Sequence, residues 1–193
     1  EQRSLTLIAC MATHTHADHI TACFSLSKQY DIPYIMWKDT PSLGVTLFVD
    51  ESTKLNVAGM DFSFHHVPGH TQDSMIIEID NHIFTGDFFF NGEAGVGRDD
   101  LPSGRLEEHW SSLKVLTRFS DDVLVCSGHE PPNTEVQTLG WNRKHNPILS
   151  MESPEEFVIW QKNSAEKLGD VSKIKVALPA NIFAEIPDEI PWL

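Results

Sequence analysis

The apolar positions of the chain fall into short runs, and most runs end in a polar cluster. Leu5-Thr6-Leu7-Ile8-Ala9-Cys10-Met11 is continuous enough to predict a buried strand, and Pro33 to Trp37 predicts a second. Ser52 to Val57 and Met60 to Val67 read as strands turning through Ala58-Gly59. Ser74 to Ile79 and His82 to Thr85 read as a hairpin across Asp80-Asn81. Residues 20–29 have helical character and close before Pro33. Leu106, Trp110, Leu113 and Leu116 recur at helical spacing, which predicts an amphipathic helix over 105–118. The glycine-rich stretch 91–104 predicts a loop. Val123 to Cys126 is a further strand, and helices are predicted over about 134–145 and 154–167. The last helix carries a full start signal: Ser153 as cap, Pro154 in first position, and Glu155 and Glu156 at the positive end of the helix dipole.

Strands in hairpins, then helices and strands in alternation, predict an α/β fold. Polar clusters at strand ends are where such folds carry chemistry. The 193 residues, 40% hydrophobic and 22% charged, suit a single domain over 1–193 with the helices from about 134 packed on it. A formal net charge of −14 repels phosphate backbones, so nucleic acid is not an expected partner. No apolar run approaches the roughly 20 residues of a membrane span. Cys10, Cys23 and Cys126 lack metal-type spacing and read as reduced thiols, which points to the cytoplasm or, in a eukaryote, the mitochondrial matrix. Trp141, Trp160 and Trp192 suit either the core or an interface.

The polar clusters are rich in metal-binding side chains. His14-Thr15-His16-Ala17-Asp18-His19 offers four ligands in six residues. In an extended segment His14, His16 and Asp18 share a face, and His19 falls at the start of the next helix. Imidazole and carboxylate together suit zinc, iron or manganese without a thiolate. His70 in Pro68-Gly69-His70-Thr71, Asp87 in Thr85-Gly86-Asp87 and His129 in Ser127-Gly128-His129-Glu130 each end a strand and follow a glycine. One such residue alone is usually a cap or a turn; the ordered set predicts a metal centre. His65, His66, His82, His109 and His145 read as surface or structural.

Taken together, Thr13-His14-Thr15-His16-Ala17-Asp18-His19, Pro68-Gly69-His70-Thr71, Gly86-Asp87 and Gly128-His129 resemble the metallo-β-lactamase superfamily over nearly the whole chain. The resemblance implies an αβ/βα sandwich with the metal site at one edge. Superfamily members carry more strands ahead of the HxHxDH run than thirteen residues can form, which implies that the N-terminal part is missing.

Two groups of that superfamily share the run: glyoxalase II-like thioesterases with two metals, and persulfide dioxygenases with one Fe(II). Gly97-Arg98-Asp99-Asp100 resembles the Gly-Arg-Thr-Asp loop of the dioxygenases, with Asp99 in place of Thr. Asn146-Pro147-Ile148-Leu149, Glu155-Glu156-Phe157-Val158 and Leu178-Pro179-Ala180-Asn181 resemble their C-terminal elements. The last two tip the resemblance toward the dioxygenases.

The dioxygenase resemblance implies Fe(II) on His14, His70 and Asp87 and oxidation of glutathione persulfide, or a similar low-molecular-weight persulfide, by dioxygen to sulfite and thiol. His16, Asp18, His19 and His129 then stand beside the metal, with Asp18 and His129 as catalytic groups. The hydrolase alternative implies two Zn2+ or a mixed Zn/Fe/Mn pair acting on acyl-glutathione. Metal one takes His14, His16 and His70, metal two takes Asp18, His19 and His129, and Asp87 bridges them. Arg98 is the candidate for a substrate carboxylate, since its planar fork binds two oxygens. The group often forms homodimers. A scaffold that has lost its chemistry is the third reading; against it, all seven ligand positions are filled by residues able to bind metal.

Overall fold

The computed structural model describes residues 5–130 and 135–188. It stacks four layers, and the alternation of side chains along the strands explains the stacking. The first sheet is small and parallel, in the order β1 (Cys10–Met11), β2 (Tyr34–Trp37), β3 (Leu47–Val49). All four residues of β2 are buried. Ile35 and Trp37 face the second sheet, and Tyr34 and Met36 face the opposite way, toward helix α1 (Cys23–Tyr30) and Ala184.

The second sheet has six strands, in the order β4 (Leu55–Val57), β5 (Met60–His66), β6 (Met75–Ile79), β7 (His82–Gly86), β8 (Leu124–Ser127), β9 (Gln137–Thr138). Its pairs are antiparallel except β7 with β8. Phe64, Met75 and Ile77 pack against Ile35, Trp37 and Val49 to form the core between the sheets. Val67, Ile76, Ile83 and Val125 lie in the other large core, under the helices. Those are α2 (Leu106–Ser112), α3 (Leu139–His145) and α4 (Pro154–Leu168), which contribute Leu139 and the fully buried Phe157. Burying one such aromatic side chain stabilises by about 1.5–3 kcal/mol. Helix, sheet, sheet, helix is the αβ/βα sandwich.

The turns follow their residues. Ala58 and Gly59 take φ of 54° and 83°, both positive as a tight two-residue hairpin needs, and Val57 pairs with Met60 across them. Ser153 caps α4 by accepting from the Glu156 amide.

Several elements differ from the sequence reading. Of Leu5–Met11 only Cys10–Met11 pairs as strand, and Leu5, Leu7 and Ile8 are exposed, because an apolar run extends only as far as a partner strand runs beside it. The 105–118 helix divides: α2 ends at Ser112 and a 3-10 turn continues from Leu113 to Arg118. The helix expected from about 134 begins at Leu139, preceded by β9; residue 134 itself lies outside the described residues, as does Trp192. His19 does not start a helix, since α1 begins four residues later. Strand β3 and helix α5 (Ile174–Phe183) were not expected. Trp160 packs against the helix-side core, and Trp141 stacks on His145.

Candidate metal centre

Loops at one end of the two sheets bring the chosen side chains together. The 13–19 loop follows β1, the 67–74 loop joins β5 to β6, Asp87 follows β7 and His129 follows β8. One group is buried: His14, His70 and Asp87 are 2%, 5% and 7% exposed, and one ligand atom from each lies within 4.8 Å of the others. Asp87 Oδ2 is 3.9 Å from His14 Nε2 and 3.6 Å from His70 Nε2. A second group, His16, Asp18 and His19, meets the same distance limit but lies nearer the solvent, with His16 and Asp18 partly buried and His19 exposed. His129 Nε2 joins the two, 3.3 Å from Asp18 Oδ2 and 3.4 Å from Asp87 Oδ2. The structure therefore gathers all seven residues selected from the sequence, and sorts His16 with Asp18 and His19 while keeping its Nδ1 3.1 Å from His14 Nε2.

Backbone geometry explains the glycines. Gly86 has φ of 52°, and a Cβ there would collide with the Thr13 side chain. A Cβ at Gly128 would collide with the Asp87 carboxylate. Only glycine lets β7, β8 and the 13–19 loop approach one point.

Each inner ligand is oriented from behind. The His70 Nδ1–H donates to the Arg98 carbonyl at 2.5 Å, which turns Nε2 toward Asp87. His14 Nδ1 is held by the Thr13 hydroxyl at 3.0 Å, with the same result. Asp73, which the sequence reading passed over, ties two ligand loops together. Its buried carboxylate accepts from the Thr15 amide and from the hydroxyls of Thr15, Thr40 and Thr71, at 3.3, 2.6, 2.8 and 2.7 Å. Asn181, from α5, donates to the carbonyls of His16 and His19. Asp73 has no local signal, and Asn181 stood out only as part of Leu178-Pro179-Ala180-Asn181, because the task of a buried Asp or Asn is recognisable only once its partners are in place.

The protonation states suit a cation. Burial, reinforced by neighbouring imidazoles, holds His14 well below the usual histidine range, and burial also lowers His70. Burial and His19 bring His16 down to about 4. Burial alone would raise the Asp87 carboxyl, but the hydrogen bond from His129 and the facing imidazoles outweigh it and hold Asp87 below the usual range. The hydrogen bond from His129 lowers Asp18 in the same way. His129 itself is pushed up to about 10 by its bonds to Asp18 and Asp87. Two neutral imidazoles and an ionised carboxylate converging within 4.8 Å are the donor set a divalent cation requires, so the residues fit a metal.

Beside the centre lies a cavity of about 570 Å³ lined by Phe90, Val96, Leu101, Leu168 and Val171, with Asp18, His70, Asp87 and His129 at its floor. Arg98 lines it too, yet its guanidinium does not stand free. Nε and Nη2 donate to Asp100 at 2.6 and 2.7 Å, and Nη1 donates to the Gly169 carbonyl at 2.6 Å. What Arg98 gives the metal centre directly is its carbonyl. The Asn-Pro element also has a structural use: Asn146 donates to the Phe90 and Gly95 carbonyls and so fixes the cavity wall. His109 is fully buried and donates to the Phe88 carbonyl, as a structural histidine.

Residues 38–129 match the family model of the metallo-β-lactamase superfamily. ETHE1 from Myxococcus xanthus superposes with a TM-score of 0.85 at 30% identity, covering 94% of this chain and 79% of that one. The chain belongs to the metallo-β-lactamase superfamily. Within the superfamily, the hydroxyacylglutathione hydrolase of Yersinia pestis (strain Pestoides F) is 32% identical over 123 residues, 63% of this chain. The match spans about half of that relative, 47% of its length. TTHA1623, solved in a di-iron-bound form, superposes with a TM-score of 0.61 at 28% identity over 75% of this chain and 79% of its own. Among the described residues no helix is long and apolar enough to cross a membrane.

Proposed function

We propose that this chain carries the active site of an Fe(II)-dependent dioxygenase that oxidises glutathione persulfide, or a similar low-molecular-weight persulfide. Persulfide, dioxygen and water give thiol and sulfite. The observation that carries the reading is the buried group of two histidines and one aspartate, complete without the outer residues. The likeness to ETHE1 over 94% of the chain supports it.

His14, His70 and Asp87 would hold the metal, a donor set of the two-histidine, one-carboxylate kind that suits non-haem iron. Iron bound there would supply redox-active Lewis-acid chemistry. The chain's own residues do the rest. Phe90, Val96, Leu101, Leu168 and Val171 exclude water and seat the body of the substrate. Asp18 and His129 line the cavity and form an ion pair 3.3 Å apart, so they can orient the water that the reaction consumes and hold its proton. The Arg98 fork reaches a substrate carboxylate only by exchanging Asp100 for it.

Thioester hydrolysis is the second reading. It is favoured by the outer group His16, Asp18 and His19 with His129, and by relatives named hydroxyacylglutathione hydrolase. The test is oxygen consumption by protein reconstituted anaerobically with Fe(II), on adding glutathione persulfide. Rapid uptake with sulfite formation is expected. No uptake by iron-loaded protein, with turnover of an acyl-glutathione thioester by the two-metal form, would overturn the dioxygenase reading in favour of the hydrolase.

A further inference from the structure

The turn that carries His16, Asp18 and His19 has no secondary structure to hold it. Between Ala12 and Ala22 the chain forms neither helix nor strand, so its backbone groups need partners from elsewhere. Two of its carbonyls, those of His16 and His19, are taken by one atom. Asn181 Nδ2 donates to both at 2.9 Å, and Asn181 Oδ1 accepts from the Thr21 amide at 2.9 Å. The side chain is 2% exposed, and both its donors and its acceptor are used. Helix α5 delivers it, docked through the Ser42 hydroxyl on the Asn181 carbonyl and the Leu43 amide on the Ile182 carbonyl, each at 2.7 Å.

Three contacts from one rigid amide fix the curvature of residues 16–21. No other uncharged side chain of that length offers two donors and an acceptor on one plane. A carboxylate would turn an oxygen toward two carbonyls, and an aliphatic side chain would leave two carbonyls and an amide buried without partners. The inner group has independent supports in Thr13, the Arg98 carbonyl and the glycine contacts. The outer group draws two of its carbonyl contacts from a residue 165 and 162 positions away in sequence.

We propose that Asn181 is a positioning residue: by clamping the His16 and His19 carbonyls it sets how His16, Asp18 and His19 are presented beside the buried His14–His70–Asp87 group. This rests on the metal-site reading above and holds for either reaction. Asn181 touches no reacting atom; it acts through the turn.

The experiment compares Asn181→Ala with wild type and with Ser42→Ala, which removes a docking bond of α5 without touching the turn. In Asn181→Ala, hydrogen exchange at amides 16–21 is expected to speed up tenfold or more, with exchange elsewhere unchanged. Iron per chain should stay at the wild-type level, kcat should fall tenfold or more, and KM should stay within twofold. Ser42→Ala should match wild type in exchange at 16–21 and in kcat. Should Asn181→Ala fail to fold, Asn181→Ser keeps one donor, and the same changes are expected at smaller size. Wild-type exchange at 16–21 in a folded Asn181 variant overturns the proposal. So does a Ser42→Ala variant that reproduces both changes, since docking of α5 alone would then account for them. If wild type consumes no oxygen, the exchange comparison is unaffected and kcat is read on the acyl-glutathione thioester, which separates failure of the proposal from failure of the dioxygenase reading.

Discussion

The two halves of the candidate metal centre are built from the same residue types and behave as different materials. His14, His70 and Asp87 are almost wholly buried, whereas the side chains of Asp18, His19 and His129 are 39%, 51% and 54% exposed. Burial keeps the inner histidines neutral, and Gly86 and Gly128 leave room for Thr13, His14 and Asp87 where a Cβ would collide. The outer half is stabilised by charge instead, with a protonated His129 between Asp18 and Asp87. An inner site that is preorganised and an outer site that must give up a proton to bind metal would fill in that order.

Asp87→Ala should break the comparison altogether, because Asp87 faces both halves. Bound metal should be lost and activity should fall on the order of 10³-fold or more, as when a unit that acts together loses one member. A metal-loaded, active Asp87→Ala protein would refute the site. His129→Ala should divide the halves. Under the dioxygenase reading iron content is kept and kcat falls by about 10–100-fold, the usual size for a partner just outside the ligand set. Under the hydrolase reading the second metal equivalent is lost, and metal analysis of the same sample distinguishes the two.

The pH dependence of the metal-free chain should sharpen the contrast. His129 has a raised pKa, so its contribution is complete below the unfolded value near 6.5 and is lost as pH rises toward about 10. Asp18 and Asp87 have lowered pKa values, so theirs is complete above the unfolded value of about 3.8 and is lost on further acidification. His14, His16 and His70 have lowered pKa values, so their contribution is complete above the unfolded value near 6.5 and is lost as pH falls below it. Thermal melts in chelator at pH 7 and pH 9 isolate His129, because the buried histidines are neutral at both: the midpoint should be higher at pH 7, and His129→Ala should shrink that difference. An equal difference in the variant would remove His129 as its source. The smallest effect is expected from Arg98→Ala, which keeps the carbonyl that orients His70. Iron content should be unchanged and stability should drop by about 1 kcal/mol or less, as for a partly exposed ion pair. A large rise in KM for glutathione persulfide, with stability unchanged, would show instead that the guanidinium leaves Asp100 to bind substrate.

The seven candidate ligand positions could be picked out because metal chemistry restricts residue type, and a histidine or aspartate after a glycine at a strand end is a local pattern. Most strands were legible too, because the apolar runs are short and their hairpin turns are marked by residues such as Ala58-Gly59 and Asp80-Asn81. Strand β3 was not, since Leu47–Val49 is three residues long and gains its identity only by pairing with β2. Helix α5 was hidden by Pro179 inside it. Whether Arg98 is free or held by Asp100 and Gly169 depends on how the 97–100 loop meets the end of α4.

The sequence by itself determined which residues can bind metal, which runs become strands, and that the surface is acidic, because each follows from residue type and local spacing. Only the tertiary structure decided which ligands are buried and neutral and which stay exposed and charged. It alone joined Asp73 to three threonines and Asn181 to the turn at 16–21. Burial and hydrogen bonding between distant segments are properties of the packed chain, and no window of sequence contains them.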